Sequence, residues 1–218
     1  MSGFLTNIML FQNRIDAGQR LAQLLRSYTD RSEVIVLALP RGGVPVAAEI
    51  ADAINAPLDV LVVRKLGVPG AEEAAMGAIA SGDFQYLNHD LIQQMNIPPE
   101  AVDAVIQRER QELSRREKLY RDGRPPMNLR DRTVILVDDG LATGSTMRVA
   151  VEAIQDHQPR ELIVAVPVAQ PEVCQQLETQ VDRVVCAETP RPFYAVGLWY
   201  QDFSQTSDDE VRTLLRRS

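Results

Sequence analysis

Residues 134–147 read VILVDDGLATGSTM. An apolar, β-branched run ends in two adjacent carboxylates, Asp138 and Asp139. Small or hydroxyl-bearing residues follow at Gly140, Ala142, Thr143, Gly144, Ser145 and Thr146. The run has the composition of a strand buried on both faces. A helix beginning at Ser145 would present unpaired N–H groups and the positive end of its dipole to the turn. Small residues there let backbone amides close around a phosphate. Paired carboxylates suit vicinal hydroxyls, because each oxygen accepts a hydrogen bond. The segment thus fits a sugar diol at one end and a terminal phosphate at the other. An ordinary strand, polar turn and helix cap would use the same residue types. A nucleotide-binding P-loop does not fit, since no Gly-Lys-Ser/Thr is present and the carboxylates precede the glycines.

A second candidate is LPRGGVPVA, residues 39–47, after another apolar run. By themselves Arg41, Gly42 and Gly43 fit a tight strand-to-helix turn. A third is Arg64-Lys65, after the run LDVLVV. A cation there would neutralise an anionic ligand or form a surface pair. The aromatic segment PFYAVGLWYQDF, residues 192–203, would pack the C-terminal helix on the sheet.

The elements that must position these groups follow from periodicity. Ala17, Leu21, Leu24, Leu25 and Tyr28 recur at helical spacing over residues 15–28. Buried strands are expected at 34–39, 58–63, 133–139, 161–167 and 182–188, with helices between them. That is a doubly wound, mainly parallel five-stranded α/β sheet flanked by helices. Residues 66–75, LGVPGAEEAA, have little apolar periodicity and are read as a mobile loop. MGAIAS and FQYL about Gly82-Asp83 read as a hairpin. A helix from Glu100 to about Arg121 carries mixed charges, as a solvated face does. Ser207 and Glu210 form a capping box for a last helix. His89 and His157 fall at a helix start and a helix end, as surface positions. The whole chain, 1–218, is expected to be one domain with an insertion at about 66–95.

The 218 residues are 45% hydrophobic with net charge -7, which disfavours nucleic acid as a partner. No run of about 18 apolar residues exists to span a membrane. Residues 1–14 lack a basic start and a small-residue cleavage site, and read as mature protein. Two cysteines without a CxxC, Cys174 and Cys186, argue against a metal cluster or a disulfide framework and for a reducing cytoplasm.

The pattern of apolar strand, Asp138-Asp139, two residues, Ala142, then Thr143-Gly144-Ser145-Thr146 resembles the signature of type I phosphoribosyltransferases that binds 5-phosphoribosyl 1-pyrophosphate (PRPP). The wider resemblance covers residues 34–166 and is greatest to an uncharacterised bacterial group. It implies that Asp138 and Asp139 orient the ribose hydroxyls and meet Mg2+ indirectly, through PRPP or water. It implies that Ala142, Thr143, Gly144, Ser145 and Thr146 wrap the 5-phosphate. Arg41, Gly42 and Gly43 would meet pyrophosphate, with Arg41-Gly42 the candidate cis bond, and Lys65 would assist. Residues 66–80 would be the family's closing hood, with Glu72 or Glu73 available for proton transfer. Tyr194 would stack on the base, with Asp202 nearby. Alanine at 142 departs from the acid that 6-oxopurine enzymes carry there and puts a guanine or hypoxanthine acceptor in doubt. The implied activity is transfer of phosphoribosyl to a nitrogen base in nucleotide salvage, by a cytoplasmic protein and possible homodimer. A PRPP-sensing regulator and a sugar-phosphate hydrolase are the competing expectations.

Overall fold

A computed structural model describes residues 10–217. The reading of the N-terminus as mature protein falls mainly on residues 1–9, outside the described residues. The elements are α1 (Arg14–Leu24), β1 (Val34–Ala38), α2 (Gly43–Ile54), β2 (Leu58–Val60), β3 (Val63–Val68), β4 (Ala71–Ala80), β5 (Phe84–Leu87), α3 (His89–Gln94), α4 (Pro99–Arg121), β6 (Thr133–Val137), α5 (Ser145–Gln155), β7 (Glu161–Val168), α6 (Pro171–Leu177), β8 (Arg183–Glu188) and α7 (Asp208–Leu215).

Five strands form one sheet in the order β2-β1-β6-β7-β8, with every neighbouring pair parallel. Continuous apolar runs are required because both faces are covered. Along β1, Val34, Val36 and Ala38 face the core made with α1, α2, α4 and α7. Ile35 and Leu37 face the opposite core, with Met147 and Val151 of α5 and Leu177 of α6. The expected fold class is therefore the observed one. Ser207 caps α7 as expected, accepting from the Glu210 N–H at 3.1 Å.

The insertion differs from its expectation. The run at 58–63 is not one strand. β2 ends at Val60, and Val62 leaves the sheet, its N–H donating to Ser81 Oγ at 3.0 Å. Residues 66–75 are not a loop either. β3, β4 and β5 form an antiparallel sheet, with β3 and β4 joined through Pro69-Gly70. Alternation is hidden there because β4 is built from alanines and acids: its first half is largely exposed while Met76, Ala78, Ile79 and Ala80 are all buried. Arg64-Lys65 consequently belongs to this second sheet and not to the end of a main-sheet strand. Arg64 donates twice to Glu109 of α4, at 2.9 and 2.6 Å, and Lys65 is exposed.

The two cysteines also differ. Cys174 of α6 and Cys186 of β8 are joined as a disulfide, because parallel pairing brings β8 beside the helix that precedes it. Two cysteines twelve residues apart give no sequence signal for that crossing. His89 is exposed, whereas His157 is half-buried against Gly82. No described helix is long and apolar enough to cross a membrane.

Candidate active site

β1 and β6 are neighbours, and the chain leaves them in opposite directions, toward β2 and toward β7. In open α/β sheets such a switch point opens a crevice beyond the carboxyl ends of the strands. Both candidate loops lie there. The register that pairs Ala38 with Val137 carries residues 39–43 and 138–146 to the same edge.

The two loops touch at their glycines. A Cβ on Gly42 would lie 2.7 Å from Asp139 Cγ. One on Gly43 would lie 2.7 Å from the Val137 carbonyl oxygen and 3.0 Å from Asp138 Cα. Only glycine fits between β6 and the start of α2. Gly42 has ordinary helical backbone angles (φ -60°, ψ -33°), so its substitution would act through contact alone. Gly42→Ala is expected to cost about 1–3 kcal/mol by overpacking, measured by urea unfolding. A cost below a few tenths would mean that the carboxylate moves aside freely.

The cis bond sits between Pro40 and Arg41, one bond earlier than the Arg41-Gly42 expected from sequence. Gly42 already caps α2 with helical angles, so the reversal of the chain falls before Arg41. The Arg41 guanidinium reaches Asp208 at the start of α7, at 3.8 Å. Asp208 is also bonded by the Tyr120 hydroxyl at 2.7 Å.

Asp138 and Asp139 follow β6 directly. The Asp139 N–H donates to Asp138 Oδ1 at 2.9 Å. Asp139 Oδ2 accepts from Arg14 Nε at 2.8 Å, and the Arg14 Nη2 lies at the same distance. The remaining Arg14 nitrogen donates to the Ser204 carbonyl at 2.7 Å, and the guanidinium stacks 4.0 Å from the centre of the Phe203 ring. Tyr200 completes the enclosure, its hydroxyl donating to the Asp139 carbonyl at 2.6 Å. Burial raises the Asp138 carboxyl well above the ordinary range, with the Asp139 charge adding to it. Burial also raises Asp139, opposed by Arg14. Burial beside Asp139 raises the Tyr200 phenol.

Beyond the carboxylates, Leu141 bridges to Ala169 at the end of β7 and fixes the outward turn. Ala142 is half-buried and Thr143 exposed. Gly144 caps α5 in the left-handed conformation (φ 69°), and a Cβ there would also meet Val173 at 2.6 Å. Glycine is thus doubly required. Gly144 supplies no side-chain cap to α5. The Ser145 N–H makes a long contact to Thr143 Oγ1 at 3.4 Å, and the following N–H groups, of Thr146 and Met147, remain as donors. The Thr143 and Ser145 hydroxyls lie 2.9 Å apart over that end. Such a terminus, without an acid in its first turn, is suited to an anion.

The structure thus brings Gly42, Gly43, Asp138 and Asp139 into contact, with residues 142–146 continuing from them. Lys65 lies in the second sheet. Tyr194 is 78% exposed, and Asp202 is exposed with its carboxylate accepting from the Ser204 N–H. The aromatic segment does not seat the C-terminal helix. Trp199 stacks on Phe193, and Tyr200 packs on Phe11. The segment closes over α1 and Asp139 instead. Arg14, Tyr200 and Phe203 are the site residues that sequence reasoning missed. Arg14 lies 125 residues from its partner, and no local spacing announces the pair.

Comparison with known proteins gives the family. The family model "Phosphoribosyl transferase domain" matches residues 6–198. A Mycobacterium tuberculosis protein named provisionally as a phosphoribosyl transferase is 44% identical over 96% of this chain and 47% of its own length. The chain therefore spans about half the length of the curated relative. A Thermus thermophilus protein of known crystal structure superposes with a TM-score of 0.81 at 38% identity, covering 96% of this chain and 99% of that one. A Chloroflexus aurantiacus protein, the bifunctional protein PyrR, is 36% identical over 53% of this chain and 59% of its own. The chain belongs to the phosphoribosyl transferase family.

Proposed function

We propose that the crevice between β1 and β6 binds PRPP and that the protein transfers its phosphoribosyl group to a nitrogen base, releasing pyrophosphate. The observation that carries this reading is the contact of Gly42-Gly43 with Asp138-Asp139, immediately ahead of the start of α5, which has no acid in its first turn. In this reading the 5-phosphate accepts from the amides of residues 142–146 and from the Thr143 and Ser145 hydroxyls. The ribose hydroxyls donate to Asp138 and Asp139. Pyrophosphate lies along residues 41–43, with Arg41 exchanging its loose contact to Asp208 for the diphosphate. Lys65 would reach the diphosphate from the second sheet, which then serves as the hood of a single domain.

The reaction forms a C–N bond at the anomeric carbon and breaks the C–O bond to pyrophosphate, whose oxygen takes the electron pair. Such a transition state gathers positive charge on the ribose. The protein holds the sugar, aligns the base and excludes water. In this reading the exposed segment folds over a bound acceptor, Tyr194 stacks on the base and Asp202 lies beside it.

A magnesium ion fits this site only in company with substrate. Among the described residues no three His, Cys, Asp or Glu side chains are grouped to hold a metal, and Asp139 is already paired. Magnesium is commonly bound by one or two carboxylates with substrate phosphates. Asp138, reached directly or through water, is the residue to hold it. When bound it neutralises the leaving diphosphate.

The test is a panel of nitrogen bases with PRPP and magnesium, reading pyrophosphate release, alongside calorimetry with PRPP alone. Release with one base is the expected result. Binding without release from any base would favour a PRPP sensor. Phosphate release from sugar phosphates without binding of PRPP would favour a hydrolase.

A further inference from the structure

The two aspartates are each half-occupied. Asp138 Oδ1 accepts the Asp139 N–H at 2.9 Å. Asp139 Oδ2 accepts both Nε and Nη2 of Arg14 at 2.8 Å. Among the described residues nothing donates to Asp138 Oδ2 or to Asp139 Oδ1, and neither is a buried atom lacking a partner. Both oxygens therefore reach solvent. Two adjacent carboxylates free to rotate would offer four interchangeable acceptors; held in this way they offer two fixed ones.

Resting on the PRPP reading of the crevice, we infer that Arg14 is a positioning residue that sets Asp139 to accept one ribose hydroxyl, and so makes the site selective for an intact vicinal diol. Arg14 suits this work because a planar guanidinium fixes direction as well as charge. Its third nitrogen is tied to the Ser204 carbonyl and its face lies on Phe203, so the clamp is itself clamped. The glycine at 42 leaves room for it, since a Cβ there would come within 3.3 Å of Arg14 Nε. Asp138 owes its orientation to the backbone and not to Arg14. The two hydroxyls are thus read by independently held groups.

That independence gives the test. Affinities of the whole chain for ribose 5-phosphate, 2-deoxyribose 5-phosphate and 3-deoxyribose 5-phosphate are measured by calorimetry for the unmodified protein, Arg14→Lys and Arg14→Met. The unmodified protein is expected to prefer ribose 5-phosphate over each deoxy sugar by roughly tenfold, as for loss of one hydrogen bond to a charged group. In Arg14→Met one of the two preferences falls to near unity while the other persists. Arg14→Lys, which keeps the charge but not the fork, falls between, and it decides the matter should Arg14→Met fail to fold. Both preferences unchanged, or both lost together, would overturn the role of Arg14 while leaving the PRPP reading intact. An unmodified protein that binds none of the three sugars, nor PRPP, would remove the reading on which the inference rests.

Discussion

Asp138→Asn is expected to weaken PRPP binding by roughly a hundredfold while raising stability at neutral pH. The affinity loss follows from the geometry of the substituted group. The asparagine carbonyl can still accept the Asp139 N–H, so its amide nitrogen takes the place of the free carboxylate oxygen. An acceptor becomes a donor facing the ribose hydroxyl and any accompanying cation. A hydrogen bond to a charged group contributes about 1.5–3 kcal/mol, and the charge lost toward magnesium adds to it. The stability gain follows from linkage. Burial, then the charge of Asp139, raises the folded-state pKa of Asp138. A carboxyl with a raised pKa binds its proton more tightly in the folded chain. Its favourable contribution is complete below the unfolded value, about 3.9, and is lost as pH climbs through the folded value. Above that window the protein carries an ionised, buried carboxylate that asparagine does not have. The variant should be more stable at pH 7 by on the order of 1 kcal/mol, or about 2–4 °C in Tm for a chain of this size. The difference should shrink toward pH 4. Thermal unfolding at both pH values and calorimetry with PRPP check the two halves. Unchanged PRPP affinity would remove Asp138 from the sugar site.

A site residue that strains the fold it sits on is consistent with how the two parts of this molecule are written. The sheet is legible because its strands are buried on both faces. β1 and β6 must then be continuous β-branched runs, and VIVLA and TVILV are such runs. The turn at 142–146 is legible for another reason: wrapping an anion is local, done by consecutive amides, and small residues must stand in order along the chain. What was illegible is whatever depends on a distant partner. Arg14 opens α1 behind the Asn13 cap, one residue before the helix that periodicity predicts over 15–28, and nothing near it mentions Asp139. The aromatic segment reads either as a base-stacking surface through Tyr194 or as packing for the C-terminal helix. In the fold Tyr200 and Phe203 are used to secure Asp139 and Arg14, and Tyr194 is left far more exposed than either. Of the second sheet the β4–β5 hairpin was legible about Gly82-Asp83, while β3 and the first half of β4 were not, because alanine and glycine satisfy a ladder without showing an alternation.

The same pairing makes Asp139 a structural residue as well. The Arg14 contact ties Asp139, unlike Asp138, to a distant element of the fold. The Arg14 and Asp139 side chains are only 11% and 15% exposed. Removing one member of such a pair leaves its partner's charge buried, at a cost of about 3–5 kcal/mol. Asp139→Ala is therefore expected to lose that much stability in urea unfolding, several times the effect of any change at Asp138 and opposite in sign. Arg14→Met should lose less, because Asp139, already raised by burial, can take up a proton. The double variant Arg14→Met/Asp139→Leu removes both charges and refills the space. Replacing a buried pair by apolar groups is often neutral, so the double variant should recover most of the stability lost by Asp139→Ala. Adding Asp139→Leu alone closes a cycle with the unmodified protein, Arg14→Met and the double variant, and the coupling energy across these four separates a true ion pair from two residues that merely pack. Additive losses would show that Arg14 finds solvent once its partner is gone. In that case the orientation of Asp139 would have to come from the Tyr200 hydroxyl and the backbone alone.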